Sequence, residues 1–270
     1  MELISPSPSL SVSVPPPDCH NFDAKIDKFR DDDVHTPQRG LFFVKNSLLV
    51  GNNHQNTRKR NPLGGNVSET RGKPYGLPYA EHIKNFWKWS IGIPAKDNPV
   101  NDPTGEKCAT GQNSSSPVFY LSFNNGGFSQ RTCKVPAGKA LFIPVLESEI
   151  SQKESPKSIT DQDLSKAAAT DAGSVNSLYL KIGDKEYNYQ DLLKYRTHTD
   201  AFNLNFANNG PFGIIQGGPT RIVADGFYVI TQPLAKGTYP IHIKASLICT
   251  QPDCVDPNFA KDITYTIIAQ

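Results

Sequence analysis

The stretch RTCKVPAGKALFIPVLESEIS, Arg131 to Ser151, decides the architecture. RTCKV and KALFIPVLE are runs of β-formers, and the Pro-Ala-Gly between them is a turn. The second run closes on Glu147 and Glu149, with Glu154 just beyond. Residues two apart on a continuing strand share a face, so these two carboxylates would sit side by side. The polar run ESEISQKESPKS reads more simply as a strand leaving its sheet for a solvated loop, and that reading leads.

Working outward, similar β-rich runs recur. PVFYLSF precedes the stretch, and LYLKIGDKEYNY reads as a hairpin with Gly-Asp at its turn. YRTHTDAFNLNF alternates, RIVADGFYVITQPL and TYPIHIKASLIC are joined by a Leu-Ala-Lys-Gly turn, and DITYTIIAQ alternates again. Two segments carry helical spacing. In YAEHIKNFWKWSIGIP, Ile83, Phe86 and Trp87 share a face, and ITDQDLSKAAATDAGSVNSL opens on a Thr160 or Asp161 cap. The expectation is a mostly β chain: an antiparallel β-sandwich of jelly-roll type with one or two short covering helices.

Composition agrees. The 270 residues are 37% hydrophobic and 20% charged, with 22 Pro and 20 Gly, which suits a turn-rich β protein better than a helix bundle. A net charge of +2 gives no concentrated basic face, so no nucleic-acid partner is expected. No run approaches the roughly 18 apolar residues of a membrane helix. Residues 1–74 hold eight of the 22 prolines, Ser and Asn clusters and the run Arg58-Lys59-Arg60. They read as a disordered arm before a sandwich over residues 75–270. MELISPSPSLSVSVPPPD has neither a basic start nor an uninterrupted apolar core, so no clear signal peptide is read there.

The ordered set FWKW, GIP, DNPVNDPTGEKCATGQ, PVFYLSF, RTCKVPAGKALFIPV, ADGFYVITQPLAKGTYPIHI and DITYTI resembles a group of uncharacterised exported proteins of soil archaea and bacteria. The resemblance covers residues 86–268. It implies a β-sandwich and export, and it lends no activity.

Five cysteines are present, with Cys19 in the arm. Cys249 and Cys254 flank a Pro-containing turn and read as a local disulfide, leaving Cys108 with Cys133. Free thiols and a zinc site are the alternatives. Such disulfides, with the glycosylation-type triplets at Asn66 and Asn113, imply an oxidising compartment, extracellular or at the cell surface.

Glu147 and Glu149 are candidate acid and nucleophile, since paired carboxylates cleave glycosidic bonds. Asp97, Asn101 and Asp102 offer hard oxygens to calcium, although Asp102 occupies the position where an EF-hand needs Gly, and consecutive turns explain the stretch. His198 and His242 lie in strands and would hold copper or zinc if those strands were neighbours. Trp89, Phe212 and Tyr228 are candidate platforms for sugar rings. Nucleophile-elbow and phosphate-loop motifs are absent.

The expected role is therefore a secreted or surface-associated binding or structural module without catalysis. Its partner would be carbohydrate or cell-envelope material, with no cofactor beyond a possible calcium ion. The alternatives are an extracellular polysaccharide hydrolase or lyase using Glu147 and Glu149, and a metal-dependent oxidase using His198 and His242.

Overall fold

A computed structural model of the chain describes Val67 and residues 72–155, 159–250 and 258–270. The expected arm over 1–74, apart from Val67 and residues 72–74, falls outside the described residues, as does Cys254. In chain order the elements are α1 (Tyr79–Ile91), β1 (Val118–Tyr120), β2 (Gly127–Val135), β3 (Ala140–Ser151), α2 (Asp161–Gly173), β4 (Val175–Ile182) and β5 (Lys185–Tyr187). They continue with α3 (Tyr189–Leu193), β6 (Arg196–His198), β7 (Phe202–Phe206), β8 (Gly218–Ile230), β9 (Gly237–Ile248) and β10 (Asn258–Ala269).

The ten strands form two sheets. One runs β1-β3-β8-β6, with β7 also on β8; the other runs β2-β10-β9-β4-β5. Their inner faces pack Leu141, Ile143, Phe227 and Val229 against Ile241, Ile243, Ile263 and Ile267. The result is sandwich-like, as the alternation implies. The sheets are mixed, however. β1 lies parallel to β3 and β2 lies parallel to β10, whereas a jelly roll would be antiparallel throughout. Alternation tells which residues share a face and nothing about the direction of a neighbouring strand, so the sequence could not show this.

The helices form where capping and periodicity place them. α1 buries Tyr79, Ile83, Phe86, Trp87 and Ile91, a stripe with helical spacing. That stripe covers the outer face of the first sheet, where Phe86 stacks on Phe142 with ring centroids 5.1 Å apart. α2 starts from a capping box in which Thr160 and Asp163 satisfy each other's backbone N–H groups. Its Leu164 and Ala168 pack on Ile150 and Val223.

Two local features set the site. β1 pairs with β3 only through Phe142, so the later part of β3 has no partner on that side among the described residues. β3 also carries a bulge between Pro144 and Leu146. Val145 and Leu146 therefore both join the inter-sheet core, and every later side chain is rephased by one position.

Candidate functional site

β3 continues through Glu147, Ser148 and Glu149 to Ser151, so ESEIS is strand and not solvated loop. The carboxylates remain because β8 pairs with this whole segment, holding Glu147 opposite Gly226 and Glu149 opposite Ala224. A Cβ on Gly226 would lie 2.4 Å from the Leu146 carbonyl oxygen and 2.9 Å from Glu147 Cα, so glycine is required for the close approach.

A pocket of about 270 Å³ opens at this free end of β3. Glu147, Ser148 and Glu149 line it with Glu154 from the following turn and Asp171 from α2. Trp87 of α1, Phe123, Phe212 and Phe259 add aromatic surface; Asn124, Asn125 and Leu247 complete the lining. Phe123 and Phe212 are stacked, with centroids 6.1 Å apart and planes at 15°. Buried Arg131 fixes the Phe123 segment, donating to the Ser122 and Phe123 carbonyls at 3.2 and 3.0 Å.

The carboxyl groups have distinct environments. Glu147, with its side chain 3% exposed, accepts from Lys261 Nζ through both oxygens, at 2.8 and 2.6 Å. Lys261 also donates to the Pro144 carbonyl on the unpaired edge of β3, at 3.3 Å. Burial pushes the Glu147 pKa up to about 7, although the ammonium of Lys261 works the other way. Burial also lowers the Lys261 pKa, against the pull of Glu147. Glu149 is raised well above the ordinary carboxyl range, first by burial and then by the charge of Glu154 and their shared hydrogen bond. Glu154 is raised by burial as well; Ser151 Oγ donates to it at 2.5 Å. Ser148 Oγ donates to Asp171 at 3.1 Å.

Of the residues singled out from sequence, Glu147, Glu149 and Phe212 meet here. Tyr228 does not offer a platform. It is fully buried under α1, and its hydroxyl accepts from Trp87 Nε1 at 3.4 Å. Burial raises its pKa far above normal, and the charges of Glu147, Asp225 and Glu149 add to that. Trp89 is 9% exposed and donates to the Thr110 carbonyl at 2.9 Å, holding the turn-rich segment down on the helix. It borders a separate groove with Tyr75, His82 and Tyr120.

The metal candidates do not converge. His198 lies in β6 of the first sheet and His242 in β9 of the second, so their strands are not neighbours. His242 Nε2 donates to Asp262 at 2.7 Å. Asp102 caps a turn, accepting from Thr104 N at 2.9 Å and from Thr104 Oγ1 and Lys107 N at 2.7 Å. Burial opposes its ionisation, but these hydrogen bonds outweigh it and its pKa is lowered. Asn101 Nδ2 donates to the Ala95 carbonyl at 3.2 Å, and Asp97 is exposed. Among the described residues no group of three or more His, Cys, Asp or Glu side chains is set to hold a metal ion.

Cys108 and Cys133 are bonded, with Cα atoms 5.9 Å apart. Cys249 is also disulfide-bonded; the pairing expected for it involves Cys254, which lies outside the described residues. None of the described helices is long and apolar enough to cross a membrane.

One contact series was not foreseen. Ser165 Oγ and His198 Nε2 share a hydrogen bond of 3.1 Å, and His198 Nδ1 lies 3.5 Å from Asp225 Oδ2. The order is that of a Ser-His-Asp triad. Asp225, however, already accepts two bonds from Arg196, at 3.0 and 2.9 Å. Ser165 also sits inside α2, where neighbouring N–H groups are engaged in the helix and cannot form an oxyanion hole.

Lys261, Asp171, Trp87 and Phe259 were missed as site residues. Each lies far in sequence from Glu147, and only Lys261 left a signal: a lysine at an inward position of an alternating strand. No protein-family model, no curated protein and no solved structure matches the chain.

Proposed function

We propose that the chain is a secreted or surface-associated module that binds carbohydrate in the pocket at the end of β3. The observation that carries this reading is the composition of the lining. Exposed Phe212 and half-buried Phe259 supply stacking surface, backed by buried Trp87 and Phe123, and Glu147, Glu149, Glu154, Asp171 and the two asparagines supply hydrogen-bonding edges. Sugar rings have apolar faces and polar rims, and such sites recognise both. A volume of about 270 Å³ is near the small end of ligand pockets, which begin at about 300 Å³, and suits one or two sugar units. The disulfide between Cys108 and Cys133 supports export. The test is a glycan array probed with the full chain and with Phe212→Ala. Binding that the variant loses, and that persists in a chelator, is the expected result. No binding to any glycan overturns the reading.

A second reading, polysaccharide hydrolysis or lysis, draws on the raised pKa of Glu149, which would keep a proton ready for a leaving group. Against it, both oxygens of Glu147 are engaged by Lys261, which weakens that carboxylate as a nucleophile or base. Turnover of any polysaccharide that disappears in Glu149→Gln would favour this second reading over binding alone.

A further inference from the structure

We propose that the pocket at the end of β3 recognises an ammonium group, so that its ligand is an aminated sugar and not a neutral one. This rests on the reading of the pocket as a carbohydrate site and narrows it.

The argument begins with two acceptors that lack donors. Glu149 Oε1 is buried without a hydrogen-bond partner, and so is Asn124 Oδ1. Both side chains line the pocket, and Asn124 is 6% exposed. The amide orientation of Asn124 is fixed, because its Nδ2 donates to the Gly127 carbonyl and to Ser129 Oγ, both at 3.2 Å. Its oxygen is therefore left as an unpaired acceptor in the wall of the cavity. A buried acceptor left unpaired costs about 1–3 kcal/mol, a penalty that a donor on a guest removes.

Apart from the amide of exposed Asn125, the side-chain donors described around the pocket are already engaged. Lys261 serves Glu147 and the Pro144 carbonyl, Ser148 serves Asp171, and Trp87 Nε1 points to Tyr228. The three phenylalanine rings have no donor to give. The lining thus offers an excess of acceptors, and what fits is a group that only donates. An ammonium carries three donors and no acceptor.

Charge points the same way. Four carboxyls, Glu147, Glu149, Glu154 and Asp171, line the pocket, and one enclosed ammonium, Lys261, is bonded to the first of them. Without a guest cation, burial holds Glu149 in its protonated form, bonded to Glu154. A cationic guest takes over the role of that proton. The aromatic side chains of Phe212 and Phe259 in the lining favour a cation further. The charged or titratable groups around Glu149 are Glu154 in its own turn, Glu147, Lys261 of β10, Asp171 of α2, and Tyr228 and Asp225 of β8. Among the described residues, Lys261 is the cation bonded to a pocket carboxylate, while Arg196 is paired with Asp225 and Arg131 lies near enough to Lys261 to lower its pKa.

The experiment is titration calorimetry of the full chain at about pH 5.5, acidic enough to protonate the weakly basic amine of an amino sugar. The probes are β-1,4-linked glucosamine oligomers, their N-acetylated counterparts, glucose oligomers and spermidine. The expected result is binding of the glucosamine oligomers at least about tenfold tighter than of the acetylated and neutral ones, with proton release seen as a buffer-dependent enthalpy. Glu149→Gln is expected to lower that affinity by about tenfold or more without lowering the thermal midpoint. Equal or tighter binding of the acetylated or neutral oligomers overturns the ammonium inference and leaves the carbohydrate reading standing. Binding of spermidine alone, lost in Glu149→Gln, overturns the carbohydrate reading and keeps the cation site. Binding of none of the four overturns both.

Discussion

Lys261 Nζ lies 2.8 and 2.6 Å from the two carboxylate oxygens of Glu147, with the lysine side chain fully enclosed and the glutamate 3% exposed. Such a pair gains attraction from its low-dielectric surroundings but loses hydration on both sides. Removing one member should therefore be far worse than removing both. Lys261→Met is expected to cost about 3–5 kcal/mol at pH 8, because Glu147 is left buried and alone. The double variant Lys261→Met, Glu147→Leu should recover most of that loss. Urea unfolding of the three chains measures both, and equal stability of the single and double variants would contradict the pairing.

The pH dependence follows from the same cluster. Glu147 has its folded pKa raised to about 7 and Glu149 is raised further. Their contribution to stability is fully present below the unfolded carboxyl value near 4.5 and is lost as pH rises through the folded values. Lys261 acts oppositely: its lowered pKa contributes above its unfolded value near 10.5 and is lost as pH falls through the folded one. Asp102, with its pKa lowered, withdraws stability below about pH 4. The unfolding midpoint should therefore rise as pH is taken from 8 to 5 and fall again in stronger acid. Glu149→Gln should flatten the limb between pH 5 and 8, which differential scanning calorimetry can follow.

Phe212 is 38% exposed and has a backbone φ of 63°. A non-glycine residue there carries strain of about 1–2 kcal/mol. Phe212→Gly relieves the strain and removes the ring from Phe123. Stability is expected to change by less than about 1 kcal/mol while binding to the pocket falls about tenfold. A melting curve and a binding isotherm on the same preparation separate the two effects.

The Cys108–Cys133 bond links residues 25 apart and ties the turn-rich segment after α1 to β2. Replacing both cysteines by alanine is expected to cost about 2–4 kcal/mol. Guanidinium unfolding of the double variant, compared with the oxidised chain, gives the number directly.

The strands were legible because Ile241, Ile243, Ile263, Tyr265 and Ile267 alternate in plain view. α1 was legible for the same reason, and α2 through Thr160 and Asp163. The parallel pairings of β1 and β2 were not, since direction leaves no periodic mark. The site was half legible. Glu147 and Glu149 were visible as a same-face pair, but they were read as solvated because the partner that accommodates Glu147, Lys261, is 114 residues away. Trp89 and Tyr228 were misplaced for a related reason: an aromatic side chain looks the same in sequence whether a loop folds over it or not.

Val145 gives β3 its extra residue, and it works as a phase shifter. Before it, odd-numbered positions such as Leu141 and Ile143 face the second sheet; after it, Leu146 does, and Glu147 and Glu149 turn outward. A one-codon deletion here would restore a single alternation along the strand. It would keep Leu146 inward and both glutamates outward, whereas the same twelve residues paired without the bulge would turn both glutamates into the hydrocarbon interior and present Ser148 and Ile150 to the pocket. The chemistry of the pocket thus hangs on one unpaired residue in twelve as much as on the identity of any side chain in it.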